Sequence, residues 1–190
     1  MKRIAVVATE KEYADFLMNN VAKYMNRYAG FVSYSIAEVE RIGLIEEDFV
    51  LLSAFNIFQQ VRQKISEASE IIVLSLSLSK KQMEPLKEIA SGTRALLVNF
   101  DNRSCMHTIT CMYDAGIRDL ELIPYYGEGD YDHSIHTAIT PNEAHLVPPG
   151  ITKVYNVGES SVDMNSLYNI ADKLGVYEEF ASREANEARK

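Results

Sequence analysis

The chain reads as an α/β protein with mostly parallel sheets flanked by helices, in a flavodoxin- or Rossmann-like arrangement. Three observations predict this. Short apolar, β-branched runs recur, as in Arg3–Ala8 (RIAVVA), Phe49–Ser53 (FVLLS) and Arg94–Phe100 (RALLVNF). Between the first two, Tyr13, Phe16, Leu17, Val21, Tyr24, Met25 and Tyr28 return at helical spacing. The stretch Glu70–Ser79 (EIIVLSLSLS) is apolar on both faces through Ile71–Leu74, as expected of a central strand covered by helices on both sides. Strands alternating with helices imply a parallel sheet with right-handed crossovers. The units before Ser91 form one lobe (1–91) and those from Gly92 a second (92–176), with a cleft between them. A single continuous sheet is the alternative.

The elements follow in order. Gly30 ends the first helix, Phe31–Ile36 is an alternating strand, and Ala37–Glu47 is acidic and irregular, with a short helix as the alternative. After Phe49–Ser53, Asn56 caps a helix whose inner face is Ile57, Phe58, Val61, Ile65 and Ala68. Met83, Leu86, Ile89 and Ala90 mark the next helix, with Pro85 in its first turn. Arg94–Phe100 leads into a helix carrying Met106, Ile109 and Met112, stopped by Gly116 and Ile117. Leu120–Ile123 is a strand ended by Pro124, and Tyr125–His136 is a polar loop. Thr137–Thr140 and Val154–Val157 are the last strands. Ser160 opens a helix with Asp163 at capping-box spacing and an apolar face of Met164, Leu167, Tyr168, Ala171 and Leu174, stopped by Gly175. Tyr177–Lys190 has little to bury and reads as an exposed helical linker (177–190) to further modules.

Composition narrows the function. Of 190 residues, 47% are hydrophobic and 24% charged, and the net charge of −8 opposes holding nucleic acid through this segment alone. No signal peptide or membrane span is apparent, and the two cysteines, Cys105 and Cys111, suit a reducing cytoplasm. No phosphate loop, GxGxxG after a strand, GxSxG or HExxH motif occurs. The turn Thr9–Glu12 lacks the glycine a flavin or dinucleotide needs, so no cofactor is expected. A phosphoacceptor receiver is excluded because the third strand ends Ser53-Ala54-Phe55-Asn56, without an acceptor carboxylate. Cys105, His107 and Cys111 do not share a helix face as Cys105–Cys111 or Cys105–His107 pairs, so buried structural cysteine is favoured. Asp130, Asp132, His133 and His136 are read as a solvated loop rather than a metal site.

What converges is polar residues at strand ends, where α/β sheets place their ligands. They are Thr9, Glu10, Ser53, Asn56, Ser75, Ser77, Asn99, Asp101, Asn102, Arg103, Ser104, Thr140, Asn142, Glu143, and Asn156 to Ser161, including Gly158, Glu159, Ser160 and Ser161. Some of these are expected simply to cap helices. Glu10, Asp101, Glu143, Glu159 and Asp163 outnumber Arg103, which disfavours a phosphate and favours a ligand with an amino group, any carboxylate meeting Arg103.

The blocks IAVVATEKE, DFVLLSA, EIIVLSLSLS, ALLVNFDN and, at Ala138–Leu174, AITPNEAHLVPPGITKVYNVGESSVDMNSLYNIADKL are carried in that order. In that order the chain resembles the N-terminal receptor domain of sigma-54-dependent transcriptional regulators, clostridial type, distantly like the receptor of the propionate catabolism activator. The resemblance covers nearly all of Met1–Val176 and rests on block order rather than one motif. It implies a cytoplasmic, non-enzymatic, effector-binding domain. It also implies a homodimer, with sigma-54 polymerase and DNA engaged only through an AAA+ ATPase and a helix-turn-helix beyond Lys190. Where a basic residue is expected just after Gly158, Glu159 stands instead. The alternatives are a small flavodoxin-like enzyme using Cys105 or the His133/His136 loop, and a dimerisation domain without a pocket.

Overall fold

The computed structural model describes residues 1–189. They divide into two compact α/β units: 1–76 with the segment from Ser161 onward, and Ser77–Ser160. The chain therefore leaves the first unit and comes back to it. This differs from the expected division at 91/92, and the reason is the chain's last third. The helix from Met164 completes the first unit's sheet instead of closing a second lobe.

The first unit holds β1 (Lys2–Ala8), α1 (Lys11–Met25), β2 (Ala29–Ser35), α2 (Ile36–Ile42), β3 (Phe49–Leu52), α3 (Phe55–Val61) and β4 (Glu70–Val73). The strands are parallel in the order β2-β1-β3-β4. On one face Ile4, Val6, Leu51, Ile72 and Leu74 pack on Leu17, Val21 and Met25 of α1. On the other, Ala5, Val7, Val50 and Leu52 meet Val39, Ile57, Val61 and Ile65. α2 is the short helix that the acidic stretch from Ala37 allowed, and it is regular. A reciprocal cap builds it, with Ser35 Oγ accepting from the Glu38 N–H and Glu38 from the Ser35 N–H.

β4 is an edge strand, not the centre. Ile72 is buried between neighbours, but Ile71 and Val73 remain 37% and 41% exposed. An apolar run satisfies the sequence criterion for a covered strand even where one face has no helix over it. The centre belongs to β1 and β3, whose residues Ile4–Val7 and Val50–Leu52 are fully buried.

Ser77–Ser160 carries α4 (Lys80–Met83), β6 (Arg94–Val98), α5 (Asn102–Asp114), β7 (Glu121–Tyr125), β8 (Thr137–Thr140) and β9 (Lys153–Asn156). Two short strands, β5 (Leu76–Ser77) and β10 (Ser161–Val162), pair with each other where the chain leaves and re-enters the first unit. The second sheet runs β7-β6-β8-β9, again all parallel, repeating the first unit's order. Pro124 does not end β7; it sits within it, opposite Leu97. An edge strand tolerates the missing N–H. Pro85 opens a separate 3-10 turn, Glu84–Glu88, after α4. α5 and α4 cover one face, through Ile109, Met112 and Met83. Cys105 rather than Met106 is the buried residue of the first turns. Loops cover the other face, where Ile135, Ile151, Tyr131, Leu146 and Val147 close over Leu96, Val98 and Ala138. The Tyr131 hydroxyl lies so near Gly150 that a Cβ there would meet it at 2.5 Å, and any larger residue would have to displace the tip of the tyrosine.

The sequence-predicted stop at Gly116 holds. The Gly116 N–H donates to Tyr113 O and the Ile117 N–H to Met112 O, both at 3.0 Å. The helix expected from Ser160 starts later, as α6 (Met164–Lys173), and Asp163 is its cap, accepting from the Ser166 N–H at 2.8 Å. α7 (Tyr177–Glu187) is not a free linker. Phe180 is fully buried against the α1 and α6 side of the first sheet, edge-on to Tyr24 and Tyr168. Arg183 donates to the Tyr24 carbonyl at 3.0 Å. Tyr177 packs on Tyr168, and the Tyr28 hydroxyl donates to Glu179, so several contacts seat the helix around Phe180. No helix among the described residues is long and apolar enough to cross a membrane.

Phe180→Ala is therefore expected to cost the protein about 3–5 kcal/mol, the usual loss for a truncated core aromatic. Urea unfolding measures it. A loose linker at 177–190 would show no change.

Candidate functional site

In the order β2-β1-β3-β4 the chain turns to one side after β1 and to the other after β3, and β6 and β8 repeat this. A parallel sheet opens at such a switch, beyond the carboxyl ends of the two strands. Thr9, Glu10, Ser53, Asn56, Asn99 to Ser104 and Thr140 to Glu143 follow such switch strands, whereas Ser75 and Ser77 follow the edge strand β4 and Gly158 to Ser161 the edge strand β9.

In the first unit most of them serve the backbone. Thr9 and Glu10 are exposed, and Glu10 precedes α1 without a side-chain cap bond. Ser53 is buried and its N–H donates to Val7 O at 3.0 Å. Asn56 does not cap its helix. Ala54 holds that position, and Asn56 lies inside α3 with its Oδ1 buried and unpartnered among the described residues. Ser75 holds the return of the chain. Its N–H donates to Ser166 Oγ at 2.8 Å and its carbonyl accepts the Asp163 N–H at 3.0 Å. Ser161 lies in β10 beside this joint.

In the second unit, Asn99 is buried and turned inward, donating to Thr108 Oγ1 at 3.3 Å and accepting the Phe100 N–H at 2.9 Å. Asp101 caps α5 by accepting the Ser104 N–H at 2.7 Å. Asn102, Arg103 and Ser104 form the first turn of that helix. Ser77 lies in β5, and Ser79 rather than Ser77 caps α4.

The ends of β8 and β9 bring the remaining residues together. Thr140 is fully buried. Its Oγ1 donates to Val98 O at 2.8 Å and accepts the Glu143 N–H at 3.0 Å, fixing the turn. Asn142 takes φ +65°, a left-handed conformation that Asn tolerates better than most residues. Asn156 Oδ1 accepts the N–H groups of Asn142 and Gly158, each at 3.0 Å. Asn142 Nδ2 donates to Glu159 Oε1 at 3.0 Å. Gln82 Nε2 donates to the carbonyls of Val157 and Glu159 at 3.2 and 2.8 Å. Beside this frame lies Glu143, with His145 Nδ1 at 3.5 Å. Burial pushes the Glu143 carboxyl above its ordinary range, Glu159 adds to the rise, and His145 opposes it. Ser160 follows Glu159 and ends the second unit. Gln82 and His145 escaped the strand-end list. The Ser79-x-x-Gln82 spacing was the legible sign of the first, and nothing marked the second.

The arrangement is rich in acceptors. Two carboxylates, Glu159 held by the Asn142 amide and Glu143 beside the His145 imidazole, attract a cation or an N–H donor and repel a phosphate.

The nucleophile candidates resolve differently. Cys105 is buried, its thiol placed against the carbonyls of Leu97 and Tyr125, and burial raises its pKa. A thiolate is disfavoured there. Cys111 is only half-buried, with Sγ 3.6 Å from His107 Nε2, a one-turn pair missing from the pairs weighed in the sequence. In the Tyr125–His136 loop, Asp132 pairs with Arg94 at 2.6 Å, and His133 lies 3.1 Å from Asp130. Ser134 and Arg94 hold the Asp132 carboxyl far below the usual carboxylate range. No cluster of three or more metal-ligating side chains occurs among the described residues.

Two outcomes follow. In a thiol titration of the folded chain, Cys111 reacts readily and Cys105 only after denaturant is added; equal rates for both contradict the burial. Asn142→Ala removes the hydrogen bonds to Glu159 and Asn156 and leaves a left-handed backbone without its amide, so a loss of about 2–3 kcal/mol is expected in urea unfolding.

No protein-family model matches the chain, and no curated protein matches it. Among solved structures it is similar to a crystal structure of a LacI transcriptional regulator from Lactobacillus brevis, at 13% identity and a TM-score of 0.46, over 95% of this chain and 94% of that one.

Proposed function

We propose that this chain is the effector-sensing domain of a transcriptional regulator of the sigma-54-dependent kind. Its effector is a small molecule with an amino group, received at the carboxyl ends of the second unit's strands. The observation that carries the effector class is Glu143, a half-buried carboxyl near Glu159 whose basic neighbour is the His145 imidazole rather than a lysine or arginine. In the first unit the buried, unpartnered Asn56 Oδ1 likewise calls for a hydrogen-bond donor. The order of sequence blocks supports the sigma-54 assignment.

In this reading no bond is made or broken. The effector favours one state of the domain by as much as its affinities for the two states differ. A homodimer then passes the change to an ATPase and a DNA-binding module beyond Lys190. α7 is the relay, since the buried Phe180 couples it to the first unit's core.

A thermal-shift screen of amino acids and amines against sugar phosphates, followed by calorimetry, tests the reading. At a concentration of about 100 Kd, a true effector stabilises the chain by about 2.7 kcal/mol. Amino compounds should give that shift and Glu143→Gln should abolish it. Stabilisation by phosphates alone overturns the effector class.

A further inference from the structure

We infer that the first unit carries a separate small binding cleft, where β1 begins and the chain enters β3, and that it takes a zwitterion with an apolar side, a small aliphatic α-amino acid. The inference is independent of the amino-effector reading, which concerns the second unit. The cleft has a volume of about 240 Å³ and is lined by Arg3, Tyr34, Ile42, Leu44, Glu46, Glu47 and Asp48. Sites for drug-sized ligands run to roughly 300–1,000 Å³, so this one suits a molecule of few carbons. Local sequence builds it. α2 stops at Gly43 (φ +79°), and Leu44–Asp48 then run back to β3. Backbone bonds pin this return, from the Ile45 N–H to Lys64 O at 2.7 Å and from the Ser66 N–H to Ile45 O at 2.9 Å. The Ser69 hydroxyl donates to Glu47 O at 2.6 Å, so Glu47 is fixed in place.

The Glu47 side chain is only 8% exposed, deep burial for a carboxylate. Tyr34 Oη donates to its Oε1 at 3.1 Å, and Arg3 stands 3.6 Å from the same oxygen. Oε2 takes no hydrogen bond among the described residues. A buried carboxylate oxygen in that position calls for an N–H donor. Burial first, and then Glu47, raises the pKa of the Tyr34 hydroxyl, which stays a donor. The Arg3 side chain is exposed and beyond hydrogen-bond distance of Glu47, so its guanidinium can meet a ligand carboxylate. Asp48 is engaged elsewhere, accepting the Arg3 backbone N–H at 2.8 Å and facing Lys2 at 3.7 Å. What remains is one anion beside one cation, the complement of an adjacent ammonium and carboxylate. Ile42 and Leu44, both nearly half exposed, supply an apolar wall next to them. Glu46 at the rim adds negative charge that turns away a simple anion.

The test uses the whole chain with methyl-labelled isoleucine and leucine, read by NMR as L-leucine, 3-methylbutylamine or 4-methylpentanoate is added. A cleft this open holds so small a ligand with a Kd on the order of 1 mM, which a local probe detects. L-leucine should shift the Ile42 and Leu44 methyls, assigned through Ile42→Val and Leu44→Met. The amine, which lacks the carboxylate, and the acid, which lacks the ammonium, should leave them in place at the same concentration. Arg3→Gln and Glu47→Gln should each weaken L-leucine binding at least about tenfold, the loss of a charge-assisted hydrogen bond. Glu143→Gln should leave it unchanged, which separates this cleft from the second unit's residues. Methyls that do not move with L-leucine overturn the inference, as do equal shifts from the amine or the acid alone. Binding indifferent to Arg3→Gln overturns it too, and that exposed substitution decides the matter even if Glu47→Gln fails to fold.

Discussion

The parallel pairing of β1 with β3, and of β6 with β8, is the constraint on which the rest depends. A parallel pair cannot be joined by a tight turn, so each connection must travel back over a face of the sheet. When successive connections leave to opposite sides, nothing fills the space beyond the strands' carboxyl ends. Buried polar groups such as Thr140 and Asn99 then gather under that gap. The apolar interiors of β1 and β6, closed to solvent, hold the pairs in register. A shift of one residue would turn Ile4 and Val6 from the α1 face to the α2 face.

Much of this was legible from residue pattern. The strands at Arg3–Ala8, Phe49–Ser53 and Arg94–Phe100 and the Gly116 stop follow from local rules that tertiary packing did not override. The position of Glu70–Val73 was not legible. Apolarity on both faces records what a strand can bury, while its place at the edge depends on where later segments pack. The packing of α7, expected as an exposed helix, was missed for the complementary reason. A stretch rich in charge looked unburied, yet it carries a phenylalanine that is buried against Tyr24 and Tyr168.

At the site, the sequence supplied residue types and not their duties. Asp101, Asp163 and Ser79 spend their side chains on capping helices, and Ser75 spends its backbone on receiving α6. Glu143, Glu159 and Asn142 are in reach of one another because β8 and β9 are neighbours, which spacing along the chain does not disclose. The frame is made of amides, which position a carboxylate without neutralising it. That difference separates an acceptor-rich cluster from an ordinary ion-pair network.

The interrupted first unit sets an order of events during synthesis. Ser77–Ser160 is continuous, and all four strands of its sheet are out once Asn156 has emerged from the ribosome. The earlier-made half must wait, its β4 and α1 surfaces unsheltered, until α6 and then Phe180 arrive. The part translated first is thus the part finished last, and its uncovered apolar surface in that interval is where nascent chains are most exposed to chaperones and to one another.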